Sequence, residues 1–161
     1  MNWPRVKIAL FALAIFFIAI QLVQTKETNP PVIVSRTISS HLKVPEDVTA
    51  ILLRACGDCH SNRTVWPWYG HVAPISWVVV DDVNQGRRTL NFDDWDALDR
   101  SKSITYALSD ICKDVEQKGM PPFSYRLVHR QSAMNREEIN AICSWSNSFG
   151  SNSGNESGSL P

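Results

Sequence analysis

The longest uninterrupted hydrophobic pattern lies at the start of the chain. Residues 8–20 contain no polar side chain, Gln21 interrupts the run, and Leu22 and Val23 close it. With Val6 and the Lys7 stem, this stretch is about long enough to cross roughly 30 Å of hydrocarbon as a helix. It has no polar face, which argues against a buried core helix. Residues 1–24 are therefore predicted to form a transmembrane anchor. A cleaved signal peptide is the alternative, although no good small-residue cleavage site follows the run.

The charges beside this segment predict its orientation. Arg5 and Lys7 precede the apolar run, so the N-terminus is expected to stay in the cytoplasm. Everything after Val23 would then lie outside, in a bacterial-type periplasm. We predict a single-pass protein of the bacterial inner membrane with its C-terminal domain in the periplasm, a compartment that permits disulfides.

The rest of the chain divides into three parts. Residues 25–44 are predicted to be a linker, because the Thr-Asn-Pro-Pro sequence at 28–31 cannot continue a helix. Residues 150–161 are rich in Ser, Gly and Asn and are predicted to be a disordered tail. Residues 45–149, about 100 in number, are enough for one small domain.

Apolar positions at helical spacing run through this domain. A first helix is predicted to open at Pro45, and its buried face would carry Val48, Ile51, Leu52 and Ala55. A second would start at Pro74 and stop at Gly86. Its segment 77–80 contains three valines, so a short strand is the alternative there.

Three further helices follow from the pattern. A short one is expected from Phe92 to Leu98 with Asn91 as its cap, and a longer one from Ile104 to Lys118, ended by Gly119. The last would begin at Asn135, with Glu138 as the reciprocal capping partner. The buried face of the longer helix would carry Ile104, Leu108, Ile111, Cys112 and Val115. No confident strand pair is present, so the fold is predicted to be all-α.

The sequence Cys-Gly-Asp-Cys-His at residues 56–60 carries the candidate chemistry. Two cysteines separated by two residues and followed by histidine form the attachment pattern of c-type haem. Cys56 and Cys59 would each add across a porphyrin vinyl group as a thioether, and His60 would be the proximal iron ligand. The alternatives are part of a zinc site and a redox dithiol.

The other two cysteines, Cys112 and Cys143, both fall on apolar faces of predicted helices. An oxidising compartment and a possible packing of the last helix across the longer one favour a disulfide between them. Two buried free thiols are the alternative.

The charged residues are balanced over the whole chain, and only one local cluster bears on the possible function. Sixteen basic and sixteen acidic residues balance over the whole chain, and no basic stripe or nucleic-acid-binding motif is present, so a nucleic acid is not expected as a partner. The acidic residues Asp93, Asp94, Asp96 and Asp99 form a local cluster. It is interpreted as a solvated helix face, with steering of a basic redox partner as the alternative.

Several segments resemble the haem-binding domain family of small bacterial envelope proteins, a cytochrome-c-like group. The segment CGDCHSNRTVWPWY at 56–69 carries most of the likeness, together with PISW at 74–77, GRRTLNF at 86–92 and GMPP at 119–122. The resemblance covers residues 25–148 and implies one covalently bound haem c and a cytochrome c-like helical fold. It does not imply a particular reaction.

A low-spin electron carrier needs a second axial ligand, commonly methionine or histidine. The candidates are His71, Met120, His129 and Met134. Met120 is preferred, because the adjoining prolines restrict its loop and the residue matches the Met-Pro motif of the family. A gap-filling core methionine is the alternative. His71 is the reserve candidate, and Met134 is expected to pack as a hydrophobic staple.

Arg63, Arg87 and Arg88 have the charge that suits haem propionates, although surface or packing roles explain each equally well. Taken together, the sequence predicts a membrane-anchored monohaem c-type cytochrome. It would carry single electrons to or from unidentified redox partner proteins through a haem ligated by His60 and Met120, and it would not be an enzyme. A haem-based sensor of small gases is the alternative, and a haem peroxidase fits less well.

Overall fold

Every regular element in the described part of the chain is helical. The computed structural model describes residues 3–98 and 104–151, and no strand occurs within these two ranges. The all-α prediction is therefore confirmed. The helices are α1 Trp3–Ile20, α2 Ile38–His41, α3 Glu46–Ala55, α4 Gly57–His60, α5 Ile75–Thr89, α6 Ile104–Glu116, α7 Phe123–Val128 and α8 Arg136–Ser151. Single 3-10 turns lie at Val34–Arg36, Trp68–His71, Trp95–Ala97 and Arg130–Ser132.

Helix α1 stands apart from the core. It is 18 residues long with a mean hydropathy of 1.9, and none of its residues is buried in the protein. It is long and apolar enough to cross a membrane, a character shared by membrane anchors and signal sequences.

The core forms where α3, α6 and α8 pack together. The four positions predicted for the inner face of α3 are all buried, and so are Leu108, Ile111, Cys112 and Val115 of α6. Ile104 is 44% exposed, so the sequence placed the inner face of α6 one turn too early. Burial of each large aliphatic side chain contributes about 1.5–3 kcal/mol to folding.

A disulfide joins α6 to α8, as the sequence predicted. Cys112 and Cys143 are bonded across a sequence separation of 31, and both side chains are buried in the core. The free-thiol alternative is excluded. The reciprocal cap at the start of α8 is also confirmed: the Asn135 amide donates to Glu138 Oε2, and the Glu138 amide donates to Asn135 Oδ1, each at 2.9 Å.

Helix boundaries differ from the predictions at two places. Helix α5 continues through Gly86 to Thr89, and segment 77–80 is helical within it. The short helix expected from Phe92 to Leu98 is a single 3-10 turn, although Asn91 Oδ1 accepts the Asp93 amide as a cap would. The run was too short to sustain α-helical hydrogen bonding.

The segment 25–44, expected to be a linker, packs on the helical domain. Ile38 is a core residue, and its amide donates to Phe92 O at 2.7 Å. Lys43 O accepts the indole N–H of Trp145 at 3.2 Å. Prolines 30 and 31 exclude a helix at their own positions but leave the following apolar residues free to be buried. Of the predicted tail 150–161, α8 takes in the first two residues, and the rest lies outside the described ranges.

The acidic cluster is engaged within the protein and is not a solvated helix face. The Asp93 carboxylate is 4% exposed and pairs with Arg63 at 2.9 Å. Asp94 pairs with Arg36 at 2.7 Å, and Asp96 lies 3.1 Å from His41. Basic side chains thus accompany these three carboxylates. Asp99 lies outside the described residues.

Removal of the disulfide should lower the free energy of unfolding. A cross-link that closes a loop of this length stabilises a chain by about 3–4 kcal/mol, mainly through the entropy of the unfolded state. We expect the double variant Cys112→Ala/Cys143→Ala to lose this amount in urea unfolding followed by circular dichroism. A reductant should destabilise the parent chain similarly and leave the double variant unchanged. Equal stability of the two chains would contradict this expectation.

Candidate functional site

The cysteine motif forms a tight corner between two helices. Cys56 ends α3, and the single turn of α4 brings His60 back so that its amide donates to Cys56 O at 2.9 Å. This corner forms one wall of a cleft with two adjoining lobes. Cys56, His60, Thr89 and Met120 line both lobes, so the predicted site residues are brought together.

The two lobes differ in character. The first lobe, of about 730 Å³, is mainly apolar and is walled by α6 and the 90–98 segment; its lining includes Leu90, Phe92, Leu98, Ala107, Ile111 and Val115. The second, of about 1060 Å³ including space open to solvent, also takes in Cys59 and has a more polar rim that includes Asp82, Gln85 and Tyr125. Both volumes include space that is open to solvent, so the two lobes form a surface cleft and not a closed cavity.

The imidazole of His60 is held in one orientation. Its Nδ1 lies 3.0 Å from Leu90 O, immediately beyond the end of α5, and the Phe92 amide donates to His60 O at 2.8 Å. Burial lowers the pKa of His60, so the ring is neutral at neutral pH. With Nδ1 donating its proton to the carbonyl, Nε2 carries a free lone pair. A carbonyl that fixes the tautomer in this way is the usual second partner of a metal-binding histidine.

Gly86 allows α5 to pass directly against the motif. A Cβ at Gly86 would lie only 2.6 Å from Cys59 O, a distance that no side chain tolerates. Gly86 is therefore required for close packing of α5 against the motif, and it does not act as the helix terminator that the sequence predicted. This approach brings the last turn of α5 and Leu90 to His60.

The two motif cysteines are free thiols in a partly buried setting. Burial raises the pKa of Cys56 to about 12 and that of Cys59 to about 11. Both thiols are therefore protonated in the metal-free chain at neutral pH, a state that disfavours thiol exchange. Among residues 3–98 and 104–151, the one convergent group of metal-binding side chains is Cys112, Glu116 and Cys143, whose cysteines are bonded to each other.

A turn after α6 places Met120 on the cleft. Lys118 adopts the left-handed conformation, with φ of 58°, and both the Gly119 and the Met120 amides donate to Asp114 O, at 2.9 and 3.2 Å. The side chain of Met120 is 37% exposed, so it is not a core filler. Met134, by contrast, packs against the core.

The other candidate ligands lie elsewhere. His71 Nδ1 is 3.0 Å from Glu27 Oε1, and the ring is on the surface. His129 Nε2 bonds to Tyr69 Oη at 2.5 Å, and the ring stacks on Tyr125. Of the four histidines in the chain, His60 is the one that lines the cleft.

The sequence did not reveal a contact that closes the polar rim. Tyr125 Oη donates to Asp58 Oδ2 at 2.5 Å, and the Val65 amide donates to Asp58 Oδ1 at 3.0 Å. Burial and the bond to Asp58 raise the pKa of Tyr125, so its hydroxyl remains a donor. Asp58 thus fastens α7, a helix for which no prediction was made, to the cysteine motif. Nothing in the sequence links positions 67 residues apart.

Two of the three arginines considered as partners of haem propionates bond to other groups of the protein. Arg63 is paired with Asp93, and Arg87 donates to Ser61 O and Thr64 Oγ1, each at 2.7 Å. Arg87 therefore secures the segment that follows the motif. Arg88 is exposed and does not line either lobe of the cleft.

The donor set of the cleft fits a haem. Two thiols lie within one helical turn, a neutral imidazole has Nε2 free, and a thioether lines the same cleft. Apolar walls complete the first lobe. These are the groups with which proteins hold haem c.

Substitution of Gly86 tests the close approach of α4 and α5. We expect Gly86→Ala to destabilise the chain by about 1–3 kcal/mol, because the added methyl group forces the helices apart. Gly57→Ala is the matched control: the nearest atom to its Cβ is 3.8 Å away. The control should alter stability by less than about 1 kcal/mol, and in the stabilising direction. Urea unfolding measures both variants, and equal losses would contradict the packing described.

Comparison with known proteins agrees with this geometry. Searches of curated proteins and of solved structures returned no significant match. A scan against protein families matched the haem-binding domain over residues 15–148, which includes the motif, α5, the Met120 turn and most of α8. Because that match covers most of the sequence, the chain belongs to the haem-binding domain family.

Proposed function

We propose that this protein is a membrane-anchored monohaem c-type cytochrome that carries single electrons in the periplasm. The observation that carries the proposal is the setting of His60. Its Nδ1 is bound to Leu90 O, it directly follows two cysteines one helical turn apart, and it shares a cleft with Met120.

Each residue has a defined task in this proposal. Cys56 and Cys59 would hold the haem through two thioethers, His60 would ligate the iron through Nε2, and Met120 would ligate it through its sulfur. The bound haem supplies one-electron exchange between ferrous and ferric iron. A thioether ligand favours the ferrous state relative to imidazole, so we expect a midpoint potential that is near zero or positive.

The surroundings of the cleft support a carrier. The mainly apolar lining of the first lobe would limit the contact of a bound haem with water on that side, and such lining raises the potential of a redox centre. Asp114 O and the left-handed turn at Lys118 hold the backbone of Met120 in place. A fixed second ligand leaves no iron position for a substrate, which favours electron transfer over catalysis.

Helix α1 supports the anchor. None of its residues is buried and residues 8–20 are all apolar, while Arg5 and Lys7 in its first turns favour a cytoplasmic N-terminal end. The disulfide between Cys112 and Cys143 suits the oxidising periplasm.

The first experiment is a pyridine haemochrome assay on full-length protein made together with a c-type maturation system, combined with the mass of the intact chain. We expect one covalent haem per chain. The bare polypeptide mass without a Soret band would overturn the proposal. Ready binding of carbon monoxide by the reduced protein at neutral pH would contradict the carrier and favour a gas sensor.

Replacement of Met120 tests the second ligand. We expect Met120→Ala to retain the covalent haem, to lose the absorption and magnetic circular dichroism features of methionine ligation, and to have a lower midpoint potential. His71→Ala is the control, because His71 does not line the cleft, and its spectra should match those of the parent protein. Unchanged spectra in Met120→Ala would rule out this ligand.

A further inference from the structure

The structure carries an inference about how the domain sits on the membrane. We propose that the face formed by Trp68, Ile75 and Val78 rests in the lipid interface of the membrane that α1 crosses, so that the haem cleft has a fixed orientation toward that membrane. The inference rests on the proposed anchor and adds a binding surface and its occupant, the lipid headgroup region.

The length of α1 sets the level of the membrane surface. Its 18 residues rise about 27 Å, close to the roughly 30 Å thickness of the hydrocarbon core. Residues 21–23 follow directly, and with α1 ending at Ile20 we place them at the boundary between the hydrocarbon core and the interfacial region. Any part of the domain that bonds to them is held within a side-chain length of the surface.

A set of contacts fastens the domain at this level; we call it the juxtamembrane seam, residues 21–27 against residues 71–77. The side chain of Gln21 forms a double hydrogen bond with Ala73, donating to its carbonyl at 3.0 Å and accepting from its amide at 2.9 Å. The indole N–H of Trp77 donates to Val23 O at 2.9 Å. A tryptophan bonded in this position is typical of the membrane interface.

The juxtamembrane seam continues past the residues that we place at the edge of the lipid interface. Thr25 Oγ1 donates to Ser76 O at 3.5 Å, and Glu27 Oε1 lies 3.0 Å from His71 Nδ1. Contacts at residues 21, 23, 25 and 27 leave no free hinge between α1 and the domain. The orientation of the domain therefore follows that of α1.

Large apolar side chains are exposed beside the seam. Trp68 is 78% exposed, Val78 60% and Ile75 50%. Trp68 belongs to the turn at 68–71, which is joined to the first turn of α5 by the bond from the Ser76 amide to Val72 O at 3.0 Å. Three such side chains next to an anchored helix match the aromatic and aliphatic residues that lipid interfaces favour.

The same face of α5 leads to the cleft. Ile75, Val78 and Asp82 follow at intervals of three and four residues, so they share one stripe, and Asp82 lines the second lobe. Seven residues of helix rise about 10 Å. The cleft therefore begins no more than about 10 Å along α5 from the residue that we place at the membrane surface.

Site-directed spin labelling of the full-length, haem-loaded protein in lipid nanodiscs of phosphatidylethanolamine and phosphatidylglycerol tests the inference. Trp68→Cys and Ile75→Cys introduce labels on the proposed face, and Lys113→Cys introduces one on the exposed side of α6 as the control. The accessibility of each nitroxide to oxygen and to a water-soluble nickel chelate is measured. We expect the oxygen-to-nickel ratio at positions 68 and 75 to be severalfold higher than at 113.

Equal ratios at the three positions would overturn the inference, as would shielding that appears only after another membrane protein is added. The number of spin labels bound per chain tests the haem proposal independently of the membrane inference. The disulfide and the two thioethers leave one free thiol, so each variant should take one label; three labels would contradict the attached haem. A shortened mass that lacks α1 would contradict the anchor and the inference together.

Discussion

The backbone approach of α5 to the cysteine motif governs the site. With hydrogen in place of a side chain at Gly86, α5 lies against the Cys59 carbonyl, and the end of this helix presents Leu90 O to His60. The ring orientation, its tautomer and the position of the cleft all depend on this contact. Asp58 adds a second attachment by accepting the hydroxyl of Tyr125, which holds α7 at the polar rim. The positions of the proposed haem ligands thus depend on residues that would not themselves bind the haem: Gly86, Leu90 and Asp58.

Several features that depend on short-range patterns in the sequence were predicted correctly. The buried face of α3, most of that of α6, the Asn135–Glu138 cap and the disulfide all followed from helical spacing or from cysteines on apolar faces. Cys56, Cys59, His60 and Met120 were predicted as site residues from spacing, loop context and family resemblance, and the structure shows that they line one cleft. The burial of Ile38, the bond between Asp58 and Tyr125 and the pairing of the acidic cluster were not predicted. Each of these depends on residues distant in sequence, for which a single chain gives no signal.

The role of Gly86 illustrates the difference. Glycine after a helical pattern commonly marks a helix end, because it adopts left-handed angles without strain. Here Gly86 lies within α5 and allows this helix to pack closely against the motif. The residue with left-handed backbone angles is Lys118. A helix-ending glycine and a close-packing glycine both agree with the sequence. Only the position of α4 beside α5 shows that Gly86 is the second kind. Charged residues show the same effect: Arg63 and Arg87 secure the segments around the motif and are not left free for a ligand.

The pairing of Cys112 with Cys143 has a consequence for biogenesis. Four cysteines allow three fully paired arrangements, and the observed bond leaves the two of the CxxCH motif reduced. Once the chain has folded, their raised pKa values keep both sulfurs protonated, and protonated sulfur exchanges slowly with disulfides. If these sulfurs accept a haem in the periplasm, as we propose, the folded apoprotein would protect them from disulfide scrambling until the haem is attached.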